Sequence, residues 1–231
     1  MTSKKYGEKI KIIDREKRYL LDEAVALLPK TTWTKFVETV DMSIKLGVDT
    51  AKNPSIRGTV SLPAGSGKTK KIAVITTPAR VEEAKEAGAD VAGSDDLIEK
   101  IKGGFLDFDI VIASPDMMAS VGKVGKILGT KGLMPNPKLG TVTPDIKNAV
   151  KEFKTGKVEF RIDKGGVVAL GIGKVNFPPA EIKKNFNSVL SALLKVKPSG
   201  LKGAYVKSIT LSTTMGPGIK VNARDAVEEL Q

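Results

Sequence analysis

Two stretches of the 231-residue chain hold residue types at spacings that could do chemistry. The first, Gly65-Ser66-Gly67-Lys68-Thr69, ends like a phosphate-binding P-loop, in which glycine amides and a lysine hold a nucleotide's phosphates. The full pattern needs a glycine five residues before Gly67, and Leu62 stands there. A P-loop also leads into a helix, so that the phosphate meets the helix N-terminus. Here Lys70-Lys71-Ile72-Ala73-Val74-Ile75 follows and reads as a strand. An NTP-binding enzyme using Lys68-Thr69 is therefore the disfavoured alternative, and the glycines read as a joint between domains. The second stretch alternates. Ser208, Thr210, Ser212 and Thr214 share one face of a predicted strand, opposite Ile209 and Leu211. Each hydroxyl donates and accepts, which suits the 2′-OH groups and phosphates of RNA. The row runs into Met215-Gly216-Pro217-Gly218, where an apolar side chain and bare backbone can lie against a base or sugar.

Composition narrows the field further. The chain has no Cys and no His, which removes thiolate nucleophiles, Cys-ligated zinc, the commonest general base and the commonest metal ligand. No enzymatic activity, metal or cofactor is expected. Lys and Arg number 38 against 26 Asp and Glu, a formal charge of +12, and such an excess attracts polyanions. Aromatics are only 5%, which argues against rows of stacking platforms for single strands. No apolar run approaches the ~18 residues of a membrane span. The opening Met1-Thr2-Ser3-Lys4-Lys5 leads into charged sequence, without the apolar stretch of a signal peptide. A cytoplasmic location and no membrane partner are expected.

Two kinds of strand must position these residues. From Phe36 to Leu46, one face carries Phe36, Val40, Met42, Ile44 and Leu46 with Glu38 as its only polar member; Val37, Thr39, Asp41, Ser43 and Lys45 form the other. Val158, Phe160 and Ile162 alternate with Lys157, Glu159, Arg161 and Asp163. With the strand from Tyr205 to Thr214, these predict a half-exposed antiparallel sheet, with Lys45 and Arg161 on strands beside the hydroxyl row. The middle of the chain differs: Ile72–Ile75 and Ile110–Ala113 are unbroken apolar runs, as in parallel strands buried on both faces. Helices are predicted over 79–87, 94–101 and 143–153, the last with Thr143 as N-cap and Pro144 at the first helical position. A further helix, 178–195, carries an apolar stripe of Ile182, Phe186, Val189, Leu190 and Leu193.

The fold class is α/β: an α+β outer domain with a half-exposed sheet, plus an inserted Rossmann-like three-layer α/β domain. Residues 1–66 and 157–231 form the discontinuous, RNA-binding outer domain, and 67–156 the insertion. The insertion holds 14 basic and 12 acidic side chains, the rest of the chain 24 and 14, so the outer domain carries most of the positive charge. From Met117 to Pro144 the insertion has Lys123, Lys126, Lys131 and Lys138 and no acid, among glycines 122, 125, 129, 132 and 140. This is a second, weaker polyanion surface. Gly65 and Gly67 at one crossing and Gly156 at the other are hinge candidates. Lys52 is placed outside the contact face.

At Phe36-Val37-Glu38-Thr39-Val40, at Gly129-Thr130-Lys131-Gly132-Leu133-Met134-Pro135-Asn136-Pro137-Lys138, and at Ser212-Thr213-Thr214-Met215-Gly216-Pro217, the chain closely resembles the family of large-subunit ribosomal protein one, in its bacterial form. The three motifs keep the family's order and spacing, and the resemblance extends over essentially the whole chain. It implies the same split outer domain and inserted Rossmann-like domain. It also implies a monomer within the ribosome, whose partners are the side stalk of large-subunit ribosomal RNA, exit-site tRNA and the messenger RNA of its own operon. The family's RNA contacts would fall on Lys35, Phe36, Thr39, Asp41, Lys45, Arg161, Asp163, Lys164, Ser208, Thr214, Met215 and Gly216, to which the hydroxyl row adds Thr210. Lys123, Lys126, Lys131 and Lys138 would face tRNA. One departure is Gly165-Gly166, where the family pattern has Thr-Gly.

Overall fold

The computed structural model describes residues 4–49, 56–198, 201 and 203–230, so Lys52 lies outside the described residues. The chain opens with helices α1 (Lys4–Ile10) and α2 (Leu21–Thr31), then strands β1 (Thr39–Leu46) and β2 (Arg57–Ser61). There follow β3 (Ile72–Ile75), α3 (Val81–Glu86), β4 (Val91–Gly93), α4 (Asp95–Lys102) and β5 (Ile110–Ala113). Next come α5 (Met118–Gly122), α6 (Gly125–Thr130) and α7 (Ile146–Thr155). The chain closes with β6 (Lys157–Arg161), β7 (Val167–Lys174), α8 (Pro179–Lys195), β8 (Val206–Thr213), β9 (Ile219–Val221) and α9 (Ala223–Glu228). It divides into two compact units: Met1–Gly67 with Val158–Gln231, and Lys68–Lys157.

The first unit is built on an antiparallel sheet of order β7-β1-β8-β9. Strict alternation in β1 sends Val40, Met42, Ile44 and Leu46 into the core, where α2 and α8 cover them. The α8 stripe packs as its spacing predicts: Ile182, Phe186, Val189, Leu190 and Leu193 are all buried. Asn185 lies buried among them. It accepts from the Ala64 N–H at 3.1 Å and donates to the carbonyls of Gly65 (3.0 Å) and Ile172 (2.7 Å), so the turn at Gly65 is tied into this core.

Two expectations about this unit need correction. The alternation from Phe36 does not make one continuous strand: β1 starts at Thr39, and Phe36 and Val37 are 54% and 52% exposed. Arg161 is not on a strand beside the hydroxyl row, because β6 pairs with β2 in a separate two-stranded ladder and β7 takes the place next to β1. β7 reads Val167-Val168-Ala169-Leu170-Gly171-Ile172-Gly173-Lys174, and its glycines mask the alternation that marks the other strands. A single bridge, Ile162 to Val168, ties the end of β6 to the sheet edge.

The second unit has a parallel sheet of order β4-β3-β5 with helices on both faces. Ile72, Val74 and Ile112 meet Ile146, Val150 and Phe153 of α7 on one side. Ala73, Ile75 and Val111 meet Leu97, Ile101 and Leu128 of α4 and α6 on the other. This is the three-layer arrangement that unbroken apolar strands require, since neither face meets water. α7 begins later than predicted: Asp145, not Thr143, is the N-cap, its carboxylate accepting from the Asn148 N–H at 3.3 Å. Thr143 instead accepts from the Asp145 N–H at 3.1 Å and shapes the turn before the helix. The stretch from Met117 to Pro144 is more ordered than its glycines suggest, with α5, α6 and a single 3-10 turn at Pro137–Leu139.

Candidate nucleic-acid interface

Among the described residues, no helix covers one face of the four-stranded sheet, whose side chains are mostly polar or small. Register places the exposed positions in rows: Gly171–Asp41–Ser212, then Ala169–Ser43–Thr210–Lys220, then Val167–Lys45–Ser208. Directly opposed residues of antiparallel strands point to the same side, so these rows form one surface. Its middle is hydroxyl and its β7 side nearly flat. A Cβ at Gly171 would come within 3.1 Å of the Thr39 Cγ2, so glycine there keeps β7 low beside β1.

The two ends of the face are built differently. At one end, the Thr214 hydroxyl accepts from the Thr39 N–H at 3.0 Å and donates to the Thr39 carbonyl at 3.3 Å. This closes the β1–β8 ladder, so Thr214 positions the end of the face as well as belonging to it. The Lys174 ammonium donates to the Thr39 hydroxyl at 3.0 Å. The Met215 turn that follows is clamped from both sides: its N–H donates to the Glu38 carboxylate at 3.1 Å, and its carbonyl accepts from the Trp33 indole at 3.1 Å. Glu38 also accepts from the Thr34 hydroxyl at 2.6 Å. Burial alone would raise the Glu38 pKa, but the hydrogen bonds, led by those from Thr34 and Met215, outweigh it and hold the carboxyl below its ordinary value. The clamp leaves Met215 45% exposed at the same end as Phe36, two apolar side chains beside a wet polar surface. A Cβ at Gly216 would meet the Thr213 hydroxyl, so any other residue there would force that buried side chain to move.

At the other end stands the β6–β7 turn. The Asp163 carboxylate accepts from the Val167 N–H at 2.8 Å, and Gly166 takes a φ of +75°, which favours glycine. The Lys45 ammonium donates to the Gly165 carbonyl, tying this turn to the face. Asp163, Lys164 and Gly165 are all exposed there. Ile162 and Val168 are both buried, so alternation turns Arg161 and Ala169 outward on the same side, Arg161 at the margin beyond β7.

The structure thus brings Thr39, Asp41, Lys45, Ser208, Thr210, Thr214, Met215 and Gly216 together on one sheet and its edge turn, with Phe36 and exposed Lys35 just before β1 and Arg161, Asp163 and Lys164 at the margin. Sequence reading left out Glu38, Ser43, Gly171, Lys174 and Lys220 as site residues. Two of them carried a signal: Glu38 as the one acid on an otherwise apolar strand face, and Ser43 by alternation with Asp41 and Lys45 on the polar face. In the second unit, Lys123, Lys126, Lys131 and Lys138 are all exposed, on the ends of α5 and α6 and on the turns that follow. Gly65, Gly67 and Gly156 have φ of +75°, +68° and +123°, and Gly156 caps the C-terminus of α7.

Residues 28–217 match the model of the ribosomal protein L1p/L10e family. The chain is 52% identical over 229 residues to the large ribosomal subunit protein uL1 of Solidesulfovibrio magneticus, covering 99% of this chain and 97% of that protein. It is 50% identical over 225 residues to the protein of the same name from Protochlamydia amoebophila, covering 97% and 95%. Matches of this extent leave no part of either unit unaccounted for: the chain belongs to the ribosomal protein L1p/L10e family.

Proposed function

We propose that this ribosomal protein is a structural component of the large subunit that holds the side stalk of ribosomal RNA on the uncovered face of its four-stranded sheet. The single observation that carries this reading is the face itself: Ser43, Ser208, Thr210 and Ser212 form a field of outward hydroxyls, flanked by Lys45 and Lys220 and ended by the clamped Met215–Gly216 turn. A helical RNA shows its 2′-hydroxyls and phosphates across a wide, shallow groove. A broad, nearly flat sheet face that both donates and accepts is complementary to it, and exposed Met215 and Phe36 supply apolar contact at one end. The names of the two relatives support the assignment to the large subunit.

Two further roles follow from the family resemblance. The second unit's lysines, Lys123, Lys126, Lys131 and Lys138, meet exit-site tRNA and assist its release, with motion at Gly65, Gly67 and Gly156. The same sheet face binds the messenger RNA of the protein's own operon and represses its translation. Crosslinking the protein in cells and sequencing the attached RNA tests the ribosomal RNA reading. The expected result is a dominant crosslink in one segment of large-subunit ribosomal RNA, through sheet-face residues. Crosslinks spread evenly over cellular RNA would overturn the reading.

A further inference from the structure

The polar face does not stop at β8. Lys220 of β9 pairs with Thr210 and so shares its side of the sheet. Beyond β9, the segment around Tyr19 runs parallel to Val221. The Tyr19 N–H donates to the Lys220 carbonyl at 2.9 Å, and the Asn222 N–H donates to the Tyr19 carbonyl at 2.9 Å. Tyr19 and Val221 both point into the core, so alternation turns Arg18 and Lys220 out onto the polar side. A residue near the start of the chain and one near its end therefore sit side by side at the sheet margin.

Arg18 and Lys220, together with Lys207, Ser208 and Glu16, line a recess of about 260 Å³. Among the described residues, none of Arg18, Lys207 and Lys220 forms an ion pair. Their neighbour Lys17 behaves differently: its ammonium lies 3.2 Å from Glu23 and sits over the Tyr19 ring. Three cations held by backbone that is itself hydrogen-bonded, with one carboxylate among them, leave a local excess of positive charge aimed at the end of a hydroxyl field. An Arg fork, two ammonium groups and a Ser hydroxyl suit an anion that offers several oxygens at once.

We propose that this recess seats one backbone phosphate of the RNA whose sugars lie along the hydroxyl face, and so sets the register of that RNA across the sheet. This rests on the RNA-binding reading above and adds to it a site at the β9 margin.

The test uses the full chain and a transcript of the side stalk of large-subunit ribosomal RNA, with affinities measured over a range of salt. The double variant Arg18→Gln/Lys220→Gln is expected to bind about tenfold more weakly near physiological salt, with the salt slope reduced by about one to two. Lys220→Arg should stay within about threefold of wild type, and Lys102→Gln, at the exposed end of α4, within about twofold. Phosphate-ethylation interference should identify a phosphate whose modification weakens wild type and leaves the double variant unaffected. A folded double variant with wild-type affinity and slope would overturn the site while leaving the sheet-face reading intact. If wild type itself failed to prefer the stalk transcript over a scrambled one, both would fall. Binding of inorganic phosphate at the recess, with no effect of the double variant on RNA affinity, would make it a small-anion site and also overturn the proposal.

Discussion

The two units each contain a sheet, and the sheets expose opposite properties. In the second unit, β3 is buried along its whole length and β5 nearly so, and helices lie on both faces. In the first, β1 alternates between fully buried and half-exposed positions, and among the described residues helices cover one face only. The difference shows where a protein of this size can keep a broad binding surface. A sheet sealed on both sides can offer only its ends and loops, whereas a sheet sealed on one side offers a rigid plane whose side chains are held in register by ladder hydrogen bonds. Rigidity matters because side chains held in place lose little further entropy when a ligand binds.

Separating the units is the strongest way to break this comparison. Residues 1–67 joined to 158–231 through a short glycine linker are expected to fold and keep most of the affinity for the stalk transcript. Residues 68–157 alone should bind it at least about a hundredfold more weakly, at the level of non-specific attraction. Comparable affinities of the two pieces in titrations at matched salt would show that the covered sheet carries recognition after all.

A smaller effect should come from the clamp beneath the face. Glu38→Ala leaves the Thr34 hydroxyl and the Met215 N–H without their acceptor, at an expected loss of about 2–3 kcal/mol in urea unfolding. Because the folded carboxyl titrates below its ordinary value, its contribution is fully present above the unfolded pKa, about 4.3. It is lost as pH falls through the lower folded value. The gap in stability between wild type and Glu38→Ala should therefore narrow on acidification below that range, by the charge-linked part of the contribution. A gap that stays constant to pH 2 would refute this role.

The hydroxyl field can be tested without disturbing the fold. Thr210→Val and Ser212→Ala remove outward hydroxyls that make no hydrogen bond within the described residues. Each should weaken RNA binding by about 1 kcal/mol and leave thermal stability nearly unchanged. Thr214→Val should lower both, by roughly 1–2 kcal/mol each, because its hydroxyl also closes the β1–β8 ladder. Parallel calorimetric and binding measurements separate the two cases. The smallest effect is expected from Lys123→Ala/Lys126→Ala in the covered-sheet unit: less than about twofold on stalk affinity, vanishing at high salt. A loss as large as that of Thr214→Val would extend the interface into the second unit.

Much of this architecture was readable from local pattern. Period-two alternation marked β1 and β8, the unbroken runs marked β3 and β5, and the stripe of α8 marked its buried side. Each of these signals depends only on which faces of an element meet water. The first helices were missed although α2 keeps Leu21, Ala24, Val25 and Leu28 at helical spacing; other elements escaped because their side chains do not record that difference. β7 is thinned by Gly171 and Gly173, β4 is three residues long, and α5 and α6 are rich in glycine. The N-cap of α7 was misplaced because Thr143 and Asp145 are both good capping residues, and only the backbone path decides between them.

The amino-acid sequence by itself determined the kind of each sheet, the hydroxyl row at Ser208–Thr214, the charge imbalance and the absence of His and Cys chemistry. Those properties are local or compositional, and no partner strand is needed to state them. Tertiary structure alone decided that β7 rather than β6 lies beside β1, that Phe36 stands outside the core, and that Glu38 turns inward to hold Met215. It also placed Arg18 next to Lys220 across almost the whole length of the chain. The physical reason is that alternation tells a strand which side is wet but not which strand lies beside it. Pairing is settled by hydrogen-bond register and by the closing of one shared core, and both depend on the whole chain at once.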